Sequence, residues 1–234
     1  MVSRQVRPTV SFSLRELLES SAWYPLLDEP ARREVLHAAA ERAIAAGGVV
    51  SHYGEVAICW YGVLEGLLKW SISARDGASL TLGGQSPGSW FGEGALLRGE
   101  PRQSDIVALR PSRVAMIPKQ TFESLRRTQL AFNHFLLSQI NERLHWFMTS
   151  ITAQHLLDAD GQVALALVGL LHPLFNPASG RHLPISQEEV GNLAGVSRPR
   201  CNRALSRFKE KGLIEVEYGG ITILDLPGLR RLAA

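Results

Sequence analysis

A chain of 234 residues, 45% hydrophobic and 20% charged with a formal net charge of +3, has the length for two domains with cores of their own and the composition of an ordinary soluble globular protein. No apolar run approaches the roughly 18 residues a membrane span needs, and the start MVSRQVRPTV lacks the apolar stretch of a signal peptide, so the cytoplasm is the expected location and no membrane partner is expected. Cys59 and Cys201 stand far apart with no C-x-x-C, which argues against a disulfide framework, a cysteine-held iron–sulfur cluster and a structural zinc site.

Residues 12 to 46, FSLRELLESSAWYPLL to EVLHAAAERAIAAG, predict short helices broken at Pro25 and Pro30. Trp23, Leu26 and Leu27 are the expected anchors against the domain that follows. Between Gly48 and Pro118 the texture changes to short runs of β-formers. Turn signals recur at Gly54, Gly62, Gly66, Asp76-Gly77, Gly83-Gly84 and Pro87-Gly88, a pattern that predicts a compact antiparallel barrel or roll. Within it FGEGALLRGEPRQSD is unusual: a tight glycine turn followed by a helix start can present several backbone N–H groups to an anion.

Residues 119 to 157 contain neither glycine nor proline and predict one long helix. Phe132, Leu136, Ile140, Leu144, Phe147 and Ile151 step by three or four along it and form an apolar seam. One small barrel cannot cover so long a stripe, so a parallel homodimer paired along it is expected. Asp158-Ala159-Asp160-Gly161 breaks the pattern and is the expected hinge, and Gln162 to Leu171 reads as a further, largely apolar helix.

ISQEEVGNLAGVSRPRCNRALSRF, Ile185 to Phe208, predicts two short helices joined by a tight turn. Ser186 and Glu189 have the spacing of a capping box, Gly195 supplies the positive φ that leaves the first helix, and Ser197 caps the second with Pro199 in its first turn. Cys201, Ala204, Leu205 and Phe208 give that second helix a core stripe. Opposite lie Pro199, Asn202, Arg203 and Ser206, with Arg198, Arg200 and Arg207 at the edges. From Arg198 to Lys211 there are six basic residues and one acidic one, Glu210. Such a face suits a phosphate backbone, and Arg198 and Arg203 are the candidates for reading guanine. Beyond Gly212, Ile214, Val216 and Tyr218 alternate with Glu215 and Glu217, then Gly219-Gly220 and Ile221 to Ile223 complete the pattern of a β-hairpin, the wing of a winged module. The fold class is therefore α+β: a roll domain with N-terminal helices over 1–118, a long dimerisation helix over 119–157 and a winged helix-turn-helix over 158–234.

In this order the parts resemble the Crp/Fnr superfamily of bacterial transcription regulators. FGEGALLRGEPRQSD is similar to the phosphate-binding cassette of its cyclic-nucleotide roll, and ISQEEVGNLAGVSRPRCNRAL to its helix-turn-helix. The resemblance implies a non-enzymatic regulator with a double-stranded DNA operator, a second copy of itself and RNA polymerase as partners. It puts Ser186, Ser197 and Arg200 at phosphate-contacting positions and Arg198 and Arg203 at base-reading ones, with Asn202 and Arg207 beside them. Pro199 stands where many members have a glutamate, which points to a different half-site. In the cassette Gly92, Glu93 and Ser104 match; Gln103 stands where cyclic-AMP receptors have the phosphate-pairing arginine, and Arg102 falls one position early, on the opposite face if the segment is a strand. Phe147 and Met148 replace the hydroxyl residues that contact adenine. These departures argue against cyclic AMP and leave the effector unnamed, with a cyclic nucleotide or haem still open and no cofactor expected. A haem-based gas or redox sensor is the alternative, for which His37, His52, His134, His145 and His155 are available but none stands in a ligand motif. A cupin-like metal enzyme is remote, because the roll segment contains one histidine, His52.

Overall fold

The computed structural model describes residues 10–73, 79–217 and 219–233; the chain start, the expected Asp76-Gly77 turn and Tyr218 lie outside them. Helix α1 (Leu14–Ser20) opens with a complete capping box, in which Glu16 N donates to Ser13 Oγ at 3.3 Å and Ser13 N donates to the Glu16 carboxylate at 2.7 Å. A 3-10 turn (Tyr24–Leu26) and α2 (Glu29–Ala38, capped by Asp28) follow. The expected continuation of helix through residue 46 is replaced by strand β1 (Ala40–Ile44), whose residues pair antiparallel with Ser112 to Met116. Ladder pairing overrides the helical preference of the AERAI segment.

The roll consists of β1, β2 (Val49–Ser51), β3 (Cys59–Glu65), β4 (Leu68–Ser73), β5 (Ser79–Gln85), β6 (Trp90–Phe91), a short helix α3 (Glu93–Arg98), β7 (Asp105–Ala108) and β8 (Ser112–Pro118). These form two antiparallel sheets, β1-β8-β3-β6 and β2-β7-β4-β5. One end is sealed by a cluster of rings: Trp23 lies 5.1 Å from Trp60 and 5.1 Å from Trp90, and Trp60 lies 4.5 Å from Trp90. Trp23 and Leu27 are buried there as expected, whereas Leu26 is exposed.

The expected single helix over 119–157 is two: α4 (Lys119–Thr128) and α5 (Leu130–Leu156), broken at Gln129 with φ −115° and ψ 98°. The Gln129 side chain is held by Asp28, donating to Oδ2 at 2.9 Å and accepting from Asp28 N at 3.4 Å. α5 carries two neighbouring stripes. Phe132, Leu136, Gln139 and Arg143 are buried, the first two within the roll's own core; Leu137, Ile140, Leu144, Met148 and Ile151 are exposed. Phe132 and Leu136 are therefore core residues and not part of a pairing seam.

The C-terminal domain contains α6 (Ala159–Gly169), β9 (His182–Leu183), α7 (Gln187–Ala194), α8 (Arg198–Glu210), β10 (Ile214–Glu217), β11 (Gly220–Ile223) and α9 (Leu226–Leu232). Of the expected hinge residues Asp158 to Gly161, the last three are helical, because Asp158 caps α6 by accepting from Gly161 N at 3.0 Å; the break between α5 and α6 falls at Leu157–Asp158. The wing carries a third strand, β9, beside β11, and Gly220, expected in the turn, instead pairs with Glu217 in the β10–β11 ladder. Leu67 and Leu109 of the roll pack into this domain's core. Across the same boundary Ser86 N donates to Asn176 Oδ1 at 2.9 Å and Arg110 donates to Pro184 O at 3.4 Å, while a second Arg110 N–H donates to Gly66 O within the roll at 2.9 Å.

Candidate effector cavity and nucleic-acid interface

A cavity of about 350 Å³ opens between the α3 cassette, β7 and α5. Gly92, at φ 94°, turns the chain from β6 into α3 in a conformation that side chains rarely adopt, and a Cβ there would lie 2.5 Å from Arg102 Nη1. Of the expected effector residues, Gly92, Glu93, Arg102, Gln103, Ser104 and Phe147 line this cavity. Met148 does not: it is exposed on the outer stripe of α5. Phe147, expected both here and in the seam, sits on the roll side with its ring 6.4 Å from that of Trp70 and nearly parallel to it.

Arg102 and Gln103 do not occupy the opposite faces of a strand that alternation predicts. Both precede β7 in irregular chain, so alternation does not govern them, and it is Arg102 that is buried while Gln103 is exposed with its amide on Pro101 O. Arg102 braces the cassette, donating to Gly92 O at 2.9 Å and to Cys59 O, with its guanidinium 5.1 Å over the Tyr61 ring.

Arg143, unassigned by sequence reasoning, is the central side chain of the cavity. It forms a buried ion pair with Glu93, donates to Trp90 O and lies 5.0 Å over the Trp70 ring. Glu93 keeps its second oxygen, Oε2, buried without a partner among the described residues. The available signal was an arginine seven residues after Leu136, next to the apolar positions Ile140, Leu144 and Phe147. Arg98 and Trp70 line the same cavity and were also missed.

The helix-turn-helix follows the expected pattern closely. Glu189 N donates to Ser186 Oγ at 3.1 Å, but the reciprocal half of the box is unmade because the Glu189 carboxylate faces Lys69 Nζ of the roll at 3.7 Å. Gly195 has φ 67°, and Pro199 lies in the first turn of α8. Ser197 occupies the cap position without a side-chain hydrogen bond. Cys201, Ala204, Leu205 and Phe208 are buried, and burial pushes the Cys201 thiol up to about 11. Ser186, Ser197, Arg198, Arg200, Arg203 and Arg207 are exposed, and Asn202 is half-buried. Arg207 is ion-paired with Asp160, so it faces a neighbour within its own domain.

His37, His52, His134, His145 and His155 are all exposed, and among the described residues no group of three or more His, Cys, Asp or Glu is placed to hold a metal ion. No helix among the described residues is long and apolar enough to cross a membrane.

The structure thus joins an antiparallel roll through a long helix to a winged helix-turn-helix, the architecture of a transcription regulator. Residues 41–129 match the cyclic nucleotide-binding domain and residues 153–232 the Crp-like helix-turn-helix domain, and the chain belongs to the Crp/Fnr family of transcription regulators. It is 27% identical over 175 residues, 74% of this chain and 84% of the relative, to the cAMP-activated global transcriptional regulator CRP of Pasteurella multocida. To the CRP-like cAMP-activated global transcriptional regulator of Mycobacterium tuberculosis it is 27% identical over 191 residues, 80% and 85% of the two chains. Among solved structures, FixK2 from Bradyrhizobium japonicum shares the fold with a TM-score of 0.73 at 18% identity, over 84% of this chain and 98% of that one.

Proposed function

We propose that the protein acts as a homodimer that binds an operator through α8 and is regulated by an anionic effector other than cyclic AMP held in the roll cavity. The observation that carries the DNA-binding half is the face of α8, where Arg198, Arg200 and Arg203 are exposed opposite a fully buried stripe. Arg203 is assigned to a base edge and Arg200 to phosphate, with double-stranded DNA and a second copy as partners, RNA polymerase as the machinery addressed and the cytoplasm as the setting. Arg203→Ala is expected to cost about 1 to 3 kcal/mol on the preferred site and to relax preference at one base pair. Arg200→Ala is expected to weaken all sequences alike and to flatten the salt slope by about one unit. Binding titrations on selected and random duplexes decide it; equal losses on both for Arg203→Ala refute the assignment.

The dimer reading rests on the exposed stripe of α5, Leu137, Ile140, Leu144, Met148 and Ile151, which the chain itself leaves uncovered. Ile140 and Leu144 also line the effector cavity. A molecule bound there touches residues beside the seam, which supplies a route from effector to the spacing of the two recognition helices.

The charge of the cavity supports an anionic effector: of the lining arginines, Arg98 is paired with Glu100 at 2.8 Å and Arg143 with Glu93, and Arg102 has only backbone carbonyls and the Tyr61 ring as partners among the described residues. Its far end is apolar, walled by Trp70, Ile140, Leu144 and Phe147. An adenine there leaves its polar edge without partners, at about 1 to 3 kcal/mol for each buried group left unpaired. Cyclic AMP is therefore expected to leave DNA affinity unchanged, and Phe147→Thr to improve its binding by roughly 2- to 10-fold, the worth of one hydrogen bond. Calorimetry checks both; micromolar binding of cyclic AMP to the unaltered protein overturns the reading.

A further inference from the structure

A second cavity, of about 370 Å³, lies where the roll, α5 and the DNA-binding domain meet. Trp70 of the roll, Trp146 and Phe147 of α5 and Phe175 of the loop after α6 supply four aromatic walls, and α6 and α7 close the side toward the DNA-binding domain with Ala166 and Ala194. Trp70, Arg143 and Phe147 line both this cavity and the roll cavity, so they form the partition between the two.

The chain cannot close this space by bringing its walls together. A Cβ on Gly84 of β5 would lie 2.7 Å from Leu170 Cδ2, and one on Gly169 of α6 would lie 2.3 Å from Trp146 Cζ2. The backbones of β5 and α6 thus already lie against the side chains of Leu170 and Trp146 beside the cavity, and closer approach there is blocked by repulsion.

Two polar groups on its lining are left wanting. Gln85 is 3% exposed and its Oε1 has no hydrogen-bond partner among the described residues. Arg143 Nε is likewise buried and unpartnered, although its Nη atoms are bonded. Buried acceptors and donors are seldom left so without a ligand or water to meet them. Among the described residues Arg143 is the only charged side chain on this lining, and its charge is already met by Glu93. An anion gains little here; an uncharged molecule loses little.

We propose that this interdomain cavity is a second ligand site, distinct from the roll cavity, for an uncharged flat aromatic molecule carrying an N–H or O–H group that donates to Gln85 Oε1. The near-parallel rings of Trp70 and Phe147, 18° apart in plane, favour a flat partner. Because the walls come from both domains, the ligand binds the arrangement in which the DNA-binding domain is docked on the roll.

The test uses the whole 234-residue chain and N-phenyl-1-naphthylamine, an uncharged aromatic amine with one N–H that fluoresces in apolar surroundings. Saturable binding of one dye per chain is expected. Ala166→Phe, which fills this cavity and does not line the other, should weaken it at least 10-fold, and Gln85→Met, similar in volume but without the acceptor, by roughly 3- to 10-fold. Ser104→Phe, which crowds the roll cavity alone, should leave dye affinity within 2-fold. A fluorescence rise that does not saturate, dye binding unchanged by both Ala166→Phe and Gln85→Met, or binding abolished by Ser104→Phe overturns the proposal. Gln85→Met carries the test should Ala166→Phe fail to fold, and the outcome is independent of whether the roll cavity takes an anion.

Discussion

Leu137→Asp combined with Met148→Asp is expected to leave the chain monomeric and to lower its affinity for a two-half-site operator by on the order of 10²- to 10⁴-fold, the advantage that linking two binding units confers. Leu137 is 65% and Met148 61% exposed, and neither lines either cavity. The substitutions therefore cost the isolated chain little and act on whatever covers the stripe. In a parallel pair both positions meet their own copies, so four carboxylates would share one apolar seam, where desolvation and like charge act together. Each recognition helix would then have to find its half-site alone, since dimeric helix-turn-helix proteins span half-sites about one helical turn apart. Sedimentation velocity and operator titration measure the two effects separately. A double variant that still sediments as a dimer removes α5 from the interface.

The second large effect is expected in stability. Arg143→Ala should cost about 3 to 5 kcal/mol, the usual consequence of removing one member of a buried ion pair. The Arg143 and Glu93 side chains are 11% and 3% exposed, so solvent does little to screen the carboxylate left behind. Replacing Glu93 with Gln in the same chain removes the orphaned charge and should restore more than half of the loss. The pair is a weak source of net stability against an apolar alternative, but it ties α3 to α5 across the roll cavity. Denaturant midpoints for the two single variants and the double variant give the coupling directly. A loss below 1 kcal/mol for Arg143→Ala, or a double variant no better than it, would show that the charge is met some other way.

Much of the architecture was legible in the residues because it is enforced locally. Glycines at turns, the Ser186 and Gly195 helix ends and the i, i+3, i+4, i+7 stripe of α8 each act over a few residues. The helix-turn-helix was accordingly read with its boundaries and buried face correct. Where two local preferences competed with a distant partner, the reading failed. Ala40–Ile44 is helix-prone yet becomes a strand because β8 offers its edge, and Asp28, 101 residues away in sequence, holds the Gln129 break.

The candidate site divides along the same line. Sequence by itself determined the cassette segment, the cationic face of α8 and the existence of a long apolar helix. It could not say which side of that helix meets the roll, because α5 is apolar over two adjacent stripes, and a step of three or four residues passes from one to the other without a break. The expected seam did so between Leu136, which is buried, and Ile140, which is exposed. Only tertiary structure decided that Phe147 turns inward to Trp70 while its neighbour Met148 turns outward, that Arg102 is buried against the cassette while Gln103 beside it stays exposed, and that Arg143 meets Glu93 from 50 residues away. Each depends on which surfaces the roll leaves open to the helix, a property of the packed domain that no local spacing encodes.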